Sequence, residues 1–107
     1  LRPPGGLIVV ASPPDEPDAP EVGRTFSLQP VTSIGRSPTN TITLSDTYAS
    51  SQHALLTWRE GHWWLADQGS RNGTLVNGER VTKPTVVAEE DVITIGQTRL
   101  KLETGDE

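Results

Sequence analysis

At 107 residues the chain has room for one domain built on one hydrophobic core. Only 33% of residues are hydrophobic, and nine prolines with ten glycines interrupt the chain too often for long helices. A formal charge of -5 excludes the broad basic surface of a nucleic-acid binder, and the lack of cysteine excludes a disulfide framework and a thiolate metal site. No apolar run approaches membrane-spanning length and no signal peptide is visible, so no membrane contact by this domain is expected. Cysteine-free composition fits a reducing compartment, and a cytoplasmic monomer is the expectation. The chain starts at Leu1 rather than Met, which fits a piece of a longer protein.

In chain order, Leu7 to Ala11 is a β-branched apolar run that reads as an edge or first strand. Residues 12–23 hold four prolines and four acids, which excludes regular structure and predicts a mobile acidic loop. From Arg24 the text becomes strand and turn. Thr25–Leu28, Val31–Ile34 and Thr41–Leu44 read as short strands. His53–Trp58 places Ala54, Leu56 and Trp58 on one face, and Trp63–Asp67 returns after Glu60-Gly61. Adjacent Trp63 and Trp64 must then point to opposite faces. Asn77-Gly78 at the centre of Leu75–Val81 is a strong hairpin signal, and Gly96-Gln97 marks a further two-residue turn. Val87–Asp91 is helix-compatible but too short to stand alone. Ten or so strands at this spacing predict an all-β sandwich or barrel.

Three clusters between the strands carry chemistry: Gly35-Arg36-Ser37, Ser50-Ser51-Gln52-His53, and Gly69-Ser70-Arg71-Asn72-Gly73-Thr74. They supply two guanidinium groups, several hydroxyls and amide donors, the inventory that holds a phosphate. The reading is a binding module for a phosphorylated partner. His53 with a serine and Asp46 or Asp67 invites a catalytic triad, but there is no nucleophile elbow. No enzyme, cofactor or metal is expected.

In order and spacing these clusters, with Val76-Asn77-Gly78 and Asp91-x-Ile93-x-Ile95-Gly96, resemble the forkhead-associated (FHA) domain, and the stretch Asp46–Ser50 resembles its bacterial members. The resemblance covers about residues 26–103 and implies one domain over 1–107: an antiparallel sandwich of two sheets and about eleven strands, with ligand loops at one end. It implies recognition of phosphothreonine in a protein or peptide, such as a Ser/Thr kinase or its substrate. Arg36, Ser50, Ser51 and Arg71 would hold the phosphate, Asn72 the peptide backbone, and Tyr48 would help select neighbouring residues. Gly35, His53, Gly73 and Thr74 would be structural, the His53 ring bracing the Gly35-Arg36 turn against the Ser50 loop. The competing expectation is a phosphate-independent scaffold that docks a partner on a sheet face around Trp63 or Trp64.

Overall fold

The computed structural model describes residues 5–104. They form eleven strands: β1 Gly6–Ala11, β2 Thr25–Ser27, β3 Val31–Gly35, β4 Ile42–Thr43, β5 Ala54–Arg59, β6 His62–Asp67, β7 Thr74–Val76, β8 Glu79–Arg80, β9 Thr85–Val87, β10 Val92–Ile95 and β11 Thr98–Glu103. Among the described residues there is no helix, so none is long and apolar enough to cross a membrane. One sheet has six strands in the order β2-β1-β11-β10-β7-β8, and the other has five in the order β4-β3-β5-β6-β9.

Alternation along the strands builds the core between the sheets. Leu7 and Val9 of β1, Leu100 and Leu102 of β11, and Ile93 and Ile95 of β10 point inward from one sheet. Ile34, Ala54, Leu56, Trp63 and Leu65 point inward from the other. A strand's side chains alternate between faces, so Trp63 and Trp64 separate as the sequence requires. Trp63 is 1% exposed, its ring 5.1 Å from that of Trp58. Trp64 lies half-buried on the outer face, with the Arg59 guanidinium stacked 4.5 Å from its ring centre.

The turns follow local chemistry. Glu60-Gly61 and Asn77-Gly78 both carry positive φ at their two positions, 54° and 79°, then 50° and 86°. That is the pattern of a type I′ hairpin turn, whose twist matches that of the paired strands. Asparagine tolerates this region far better than glutamate does. Glu60→Asn is therefore expected to stabilise the domain by about 0.5–1 kcal/mol in chemical denaturation, with the binding surface untouched. An unchanged or lower midpoint would show that the Glu60 backbone carries no strain.

Three local features sharpen the sequence-based expectations, and the second of them differs from those expectations. First, of the two readings of Leu7–Ala11, edge or first strand, the second holds: β1 is the first strand and lies between β2 and β11, with Gly6 facing Glu103 at one end of the β1–β11 ladder. Its apolar run reflects a central place in the sheet. Second, β4 pairs with β3 in parallel, a local exception in an otherwise antiparallel sandwich. It holds only Ile42 and Thr43, and Leu44 N donates to Gly35 O at 2.9 Å as the last rung of the pair. Third, residues 88–91, too short to stand alone as a helix, form a turn. Ala88 N donates to Asp91 Oδ2 at 2.8 Å, and Glu90 takes a φ of 79°.

The acidic segment between β1 and β2 is a loop, but a tethered one. Its stem is closed by Val9 N to Arg24 O at 2.9 Å and Gly23 N to Val9 O at 2.8 Å. Pro13 and Pro20 are buried, so two of the prolines that preclude a strand also anchor the loop to the body.

Candidate functional site

At one end of the sandwich the 36–40, 46–53 and 69–74 loops meet. Main-chain bonds join the first two: Arg36 N donates to Ser50 O at 2.9 Å and Ser37 N to Ser51 O at 3.2 Å. Asn40, 7% exposed, donates from Nδ2 to Ser37 O at 2.8 Å and to Ser51 O at 2.7 Å. The contact is close enough to require glycine at position 35. A Cβ there would stand 2.2 Å from Ser51 O and 2.8 Å from Asn40 Nδ2. Backbone atoms cannot move aside as a flexible side chain can, so Gly35 is fixed by sterics.

His53 joins the second loop to the third. Its side chain is fully buried. Nδ1 accepts from Ser50 N at 3.0 Å, so the proton sits on Nε2, which donates to Gly73 O at 2.9 Å. The ring thus bridges the Ser50 and Gly73 loops, rather than the Gly35-Arg36 turn and the Ser50 loop as the resemblance implied. The Gly35-Arg36 turn is braced by Asn40 instead. Both ring nitrogens bond to the main chain, so neither activates a serine hydroxyl.

The third loop is wound around Asp67. Its carboxylate accepts from Gly69 N and Ser70 N, each at 3.0 Å, and from the Ser70 and Thr74 hydroxyls. Gly73 N then donates to Ser70 Oγ at 2.9 Å. Desolvation, the largest single influence, opposes the Asp67 charge. The Ser70 and Thr74 hydroxyls and Ser70 N together outweigh it and hold the carboxyl below its ordinary 3.8. A carboxyl with a depressed folded pKa stabilises the fold above its unfolded pKa, and that contribution is lost as pH falls through the folded value. Asp67→Asn is expected to cost roughly 1–2 kcal/mol at neutral pH, with the gap to the parent narrowing as pH falls below about 4. Denaturation curves across pH 2–7 check this, and a gap constant with pH would rule out the carboxylate as the loop's organiser.

These braces bring Arg36, Tyr48, Ser50, Ser51, Arg71 and Asn72 to the wall of one open basin of about 390 Å³, with Thr47 and Ala49 completing it. Ser50 Oγ accepts from Arg71 N at 2.9 Å, which leaves its own proton directed elsewhere. Asn72 Nδ2 donates to Tyr48 O at 2.8 Å, tying the second and third loops across the basin. The amide keeps a second N–H and its carbonyl oxygen for a ligand. Tyr48 is 53% exposed, with its ring on the rim. Its backbone is set by Asp46, which is 1% exposed and accepts from Tyr48 N at 2.9 Å, Gln97 N at 2.7 Å and Thr98 Oγ1 at 2.7 Å.

The electrostatics of the basin are one-sided. The single ion pair among the described residues joins Lys101 to Glu90 at 3.8 Å, far along the chain from these loops. Arg36 makes only a long bond, Nη1 to Thr47 O at 3.4 Å, and the Arg71 guanidinium makes none among the described residues. Two cations without carboxylate partners share a basin with hydroxyl and amide donors, which suits a dianionic oxyanion. Among the described residues no cluster of His, Cys, Asp and Glu could hold a metal ion.

Sequence reasoning did not assign functional roles to Asn40, Asp46, Thr47 or Asp67. Asp67-x-Gly69 has the spacing of an Asx turn, whose carboxylate accepts from the amide two residues on, and is a local signal for Asp67. Asn40 and Asp46 act through residues 11 and 52 positions away, which no local pattern reveals.

An end-loop basin of this kind, lined by two guanidinium groups on a two-sheet sandwich, has the chemistry that suits an anion. The FHA domain profile matches residues 32–96, and the chain belongs to the FHA domain family. It is 41% identical over 78 residues to the FHA domain-containing protein FhaB of Mycobacterium tuberculosis, covering 73% of this chain and 50% of that one. It is 38% identical over 104 residues to the glycogen accumulation regulator GarA of the same species, covering 96% of this chain and 60% of the relative. The chain therefore spans about half the length of the curated relatives it matches. Among solved structures, one from a study of phosphothreonine-dependent FHA domain interactions superposes with a TM-score of 0.80 at 28% identity, covering 97% of this chain and 99% of that one.

Proposed function

We propose that this chain is a phosphothreonine-dependent protein-binding module. It would receive a phosphorylated segment of a Ser/Thr kinase or of a kinase substrate in its end-loop basin. One observation carries this reading: the guanidinium groups of Arg36 and Arg71, without a carboxylate partner among the described residues, line one basin with Ser50, in a chain whose overall charge is -5. A phosphate carrying about -1.5 to -2 charges at neutral pH supplies the missing counter-charge. Arg36 grips two phosphate oxygens with its fork, Ser50 donates its hydroxyl, and Ser51 and Arg71 fill the remaining lone pairs. Asn72 reads one peptide unit of the ligand backbone, while Tyr48 meets a neighbouring residue. Membership of the FHA family and the phosphothreonine dependence named for its structural neighbour support this assignment. The module performs no chemistry on its ligand. It works in the cytoplasm, where ATP-dependent kinases make phosphothreonine.

Titration against matched phosphothreonine, phosphoserine and unphosphorylated peptide libraries tests the reading. Binding confined to the phosphothreonine library supports it, and equal binding to all three overturns it. That second result would favour the outer face of the five-stranded sheet. There Val31, Thr57, Trp64 and Val86 stand in register, with Val31 55% and Val86 41% exposed. Trp63 has no part in such a face, because it is buried in the core.

A further inference from the structure

The tethered acidic loop reaches the rim of the basin. Thr47 Oγ1 donates to the Glu16 carboxylate, and the same residue's carbonyl accepts from Arg36 Nη1 at 3.4 Å. Thr47 is thus a two-sided link, with a carboxylate on its side chain and the candidate phosphate-binding guanidinium on its main chain. Glu16 is held from behind as well, its carbonyl accepting from Ala19 N at 3.1 Å in a loop whose stem is closed on β1. Asp15, Asp18 and Glu21 of the same loop are exposed and form no ion pair among the described residues. Arg71 also lines the basin, and in its loop Gly73 lies against the Arg80 guanidinium, where an added Cβ would meet it at 2.9 Å. The Glu16 carboxylate therefore sets one fixed negative charge, at Thr47, beside a basin lined by the Arg36 and Arg71 cations.

We propose that Glu16 is a specificity-determining residue of this basin. It sets a preference for phosphothreonine segments that carry lysine or arginine where they pass Thr47, and it disfavours acidic residues there. The inference rests on the phosphothreonine reading above and deepens it. A charge fixed at a rim acts on every approaching ligand, and like charges facing each other across an interface select against the wrong partner. The effect lies within a Debye length of the site, so moderate salt weakens it.

The test uses three phosphothreonine peptides, identical except for lysine, alanine or aspartate on both sides of the phosphothreonine. They are titrated at low and moderate salt against the parent domain, Glu16→Gln and Glu16→Lys. The parent is expected to bind the lysine-flanked peptide about tenfold more tightly than the aspartate-flanked one at low salt. Glu16→Gln should reduce that ratio to about threefold or less, and Glu16→Lys should bring it to unity or invert it. Unchanged ratios in both variants, with phosphate-dependent binding intact, overturn the role of Glu16 and leave the phosphothreonine reading standing. If the parent binds none of the three peptides, the phosphothreonine reading fails and the inference with it. The contact itself is checked without ligand. Glu16→Ala should shift the amide resonances of Thr47 and Tyr48, and unmoved resonances would show that Glu16 does not engage the rim.

Discussion

Arg36→Ala is expected to lower affinity for a phosphothreonine peptide by about a hundredfold or more. Hydrogen bonds to charged groups contribute about 1.5–3 kcal/mol each, and a bidentate grip on phosphate makes two of them. The cost to the fold should be small, because Arg36 is exposed and its one side-chain bond among the described residues is a long 3.4 Å contact with Thr47 O. Thermal melting within about 2 °C of the parent would match that view, since an exposed side chain outside a network rarely matters by more than about 0.5 kcal/mol. Arg36→Lys separates charge from shape. It keeps the cation but loses the planar fork, so it should recover only part of the affinity. Calorimetric titration of the three proteins decides the matter. Arg36→Ala binding like the parent would remove the phosphate from this basin.

His53→Ala should have the largest effect on stability, about 3–5 kcal/mol. The ring is wholly buried, so its removal opens a cavity and also orphans two main-chain groups, Ser50 N and Gly73 O. Binding should weaken as well, even under conditions where the variant remains folded. The ring holds the Ser50 loop to the Gly73 loop, and those loops carry Ser50, Arg71 and Asn72 to the basin. Urea denaturation measures the first effect, and titration well below the midpoint measures the second. A loss under about 1 kcal/mol would mean that the two loops are held together chiefly by Arg71 N to Ser50 Oγ and Asn72 Nδ2 to Tyr48 O.

The legible parts of this molecule are those written locally. Glu60-Gly61, Asn77-Gly78 and Gly96-Gln97 each sit between two strands as their sequence predicts, because a two-residue turn is decided by the residues in it. The opposite fates of Trp63 and Trp64 follow from strand pleating alone. The six residues expected around a ligand do line one basin, since their spacing matches a family whose loops meet at one end. What escaped was set by contacts between distant residues. The parallel β3–β4 pair depends on how the 36–41 turn is folded by Asn40. The acidic segment reads as free chain until Pro13, Pro20 and Glu16 are seen against the body. The resemblance implies a bracing part for the His53 ring, but one of its two partners, Gly73 O, lies 20 residues on and carries no sequence signature.

The β1–β11 ladder has a mechanical consequence. Gly6 and Glu103 are partners at the same end of an antiparallel pair. A load applied through these two residues would not shear all the rungs together. It would peel them one after another, from Gly6 and Glu103 toward Ala11 and Arg99. Thr98, bonded to Asp46 beneath the basin, lies just beyond the last rung. Under tension the domain would yield first at the end remote from its loops, and the anchor under Tyr48 would be among the last contacts to part.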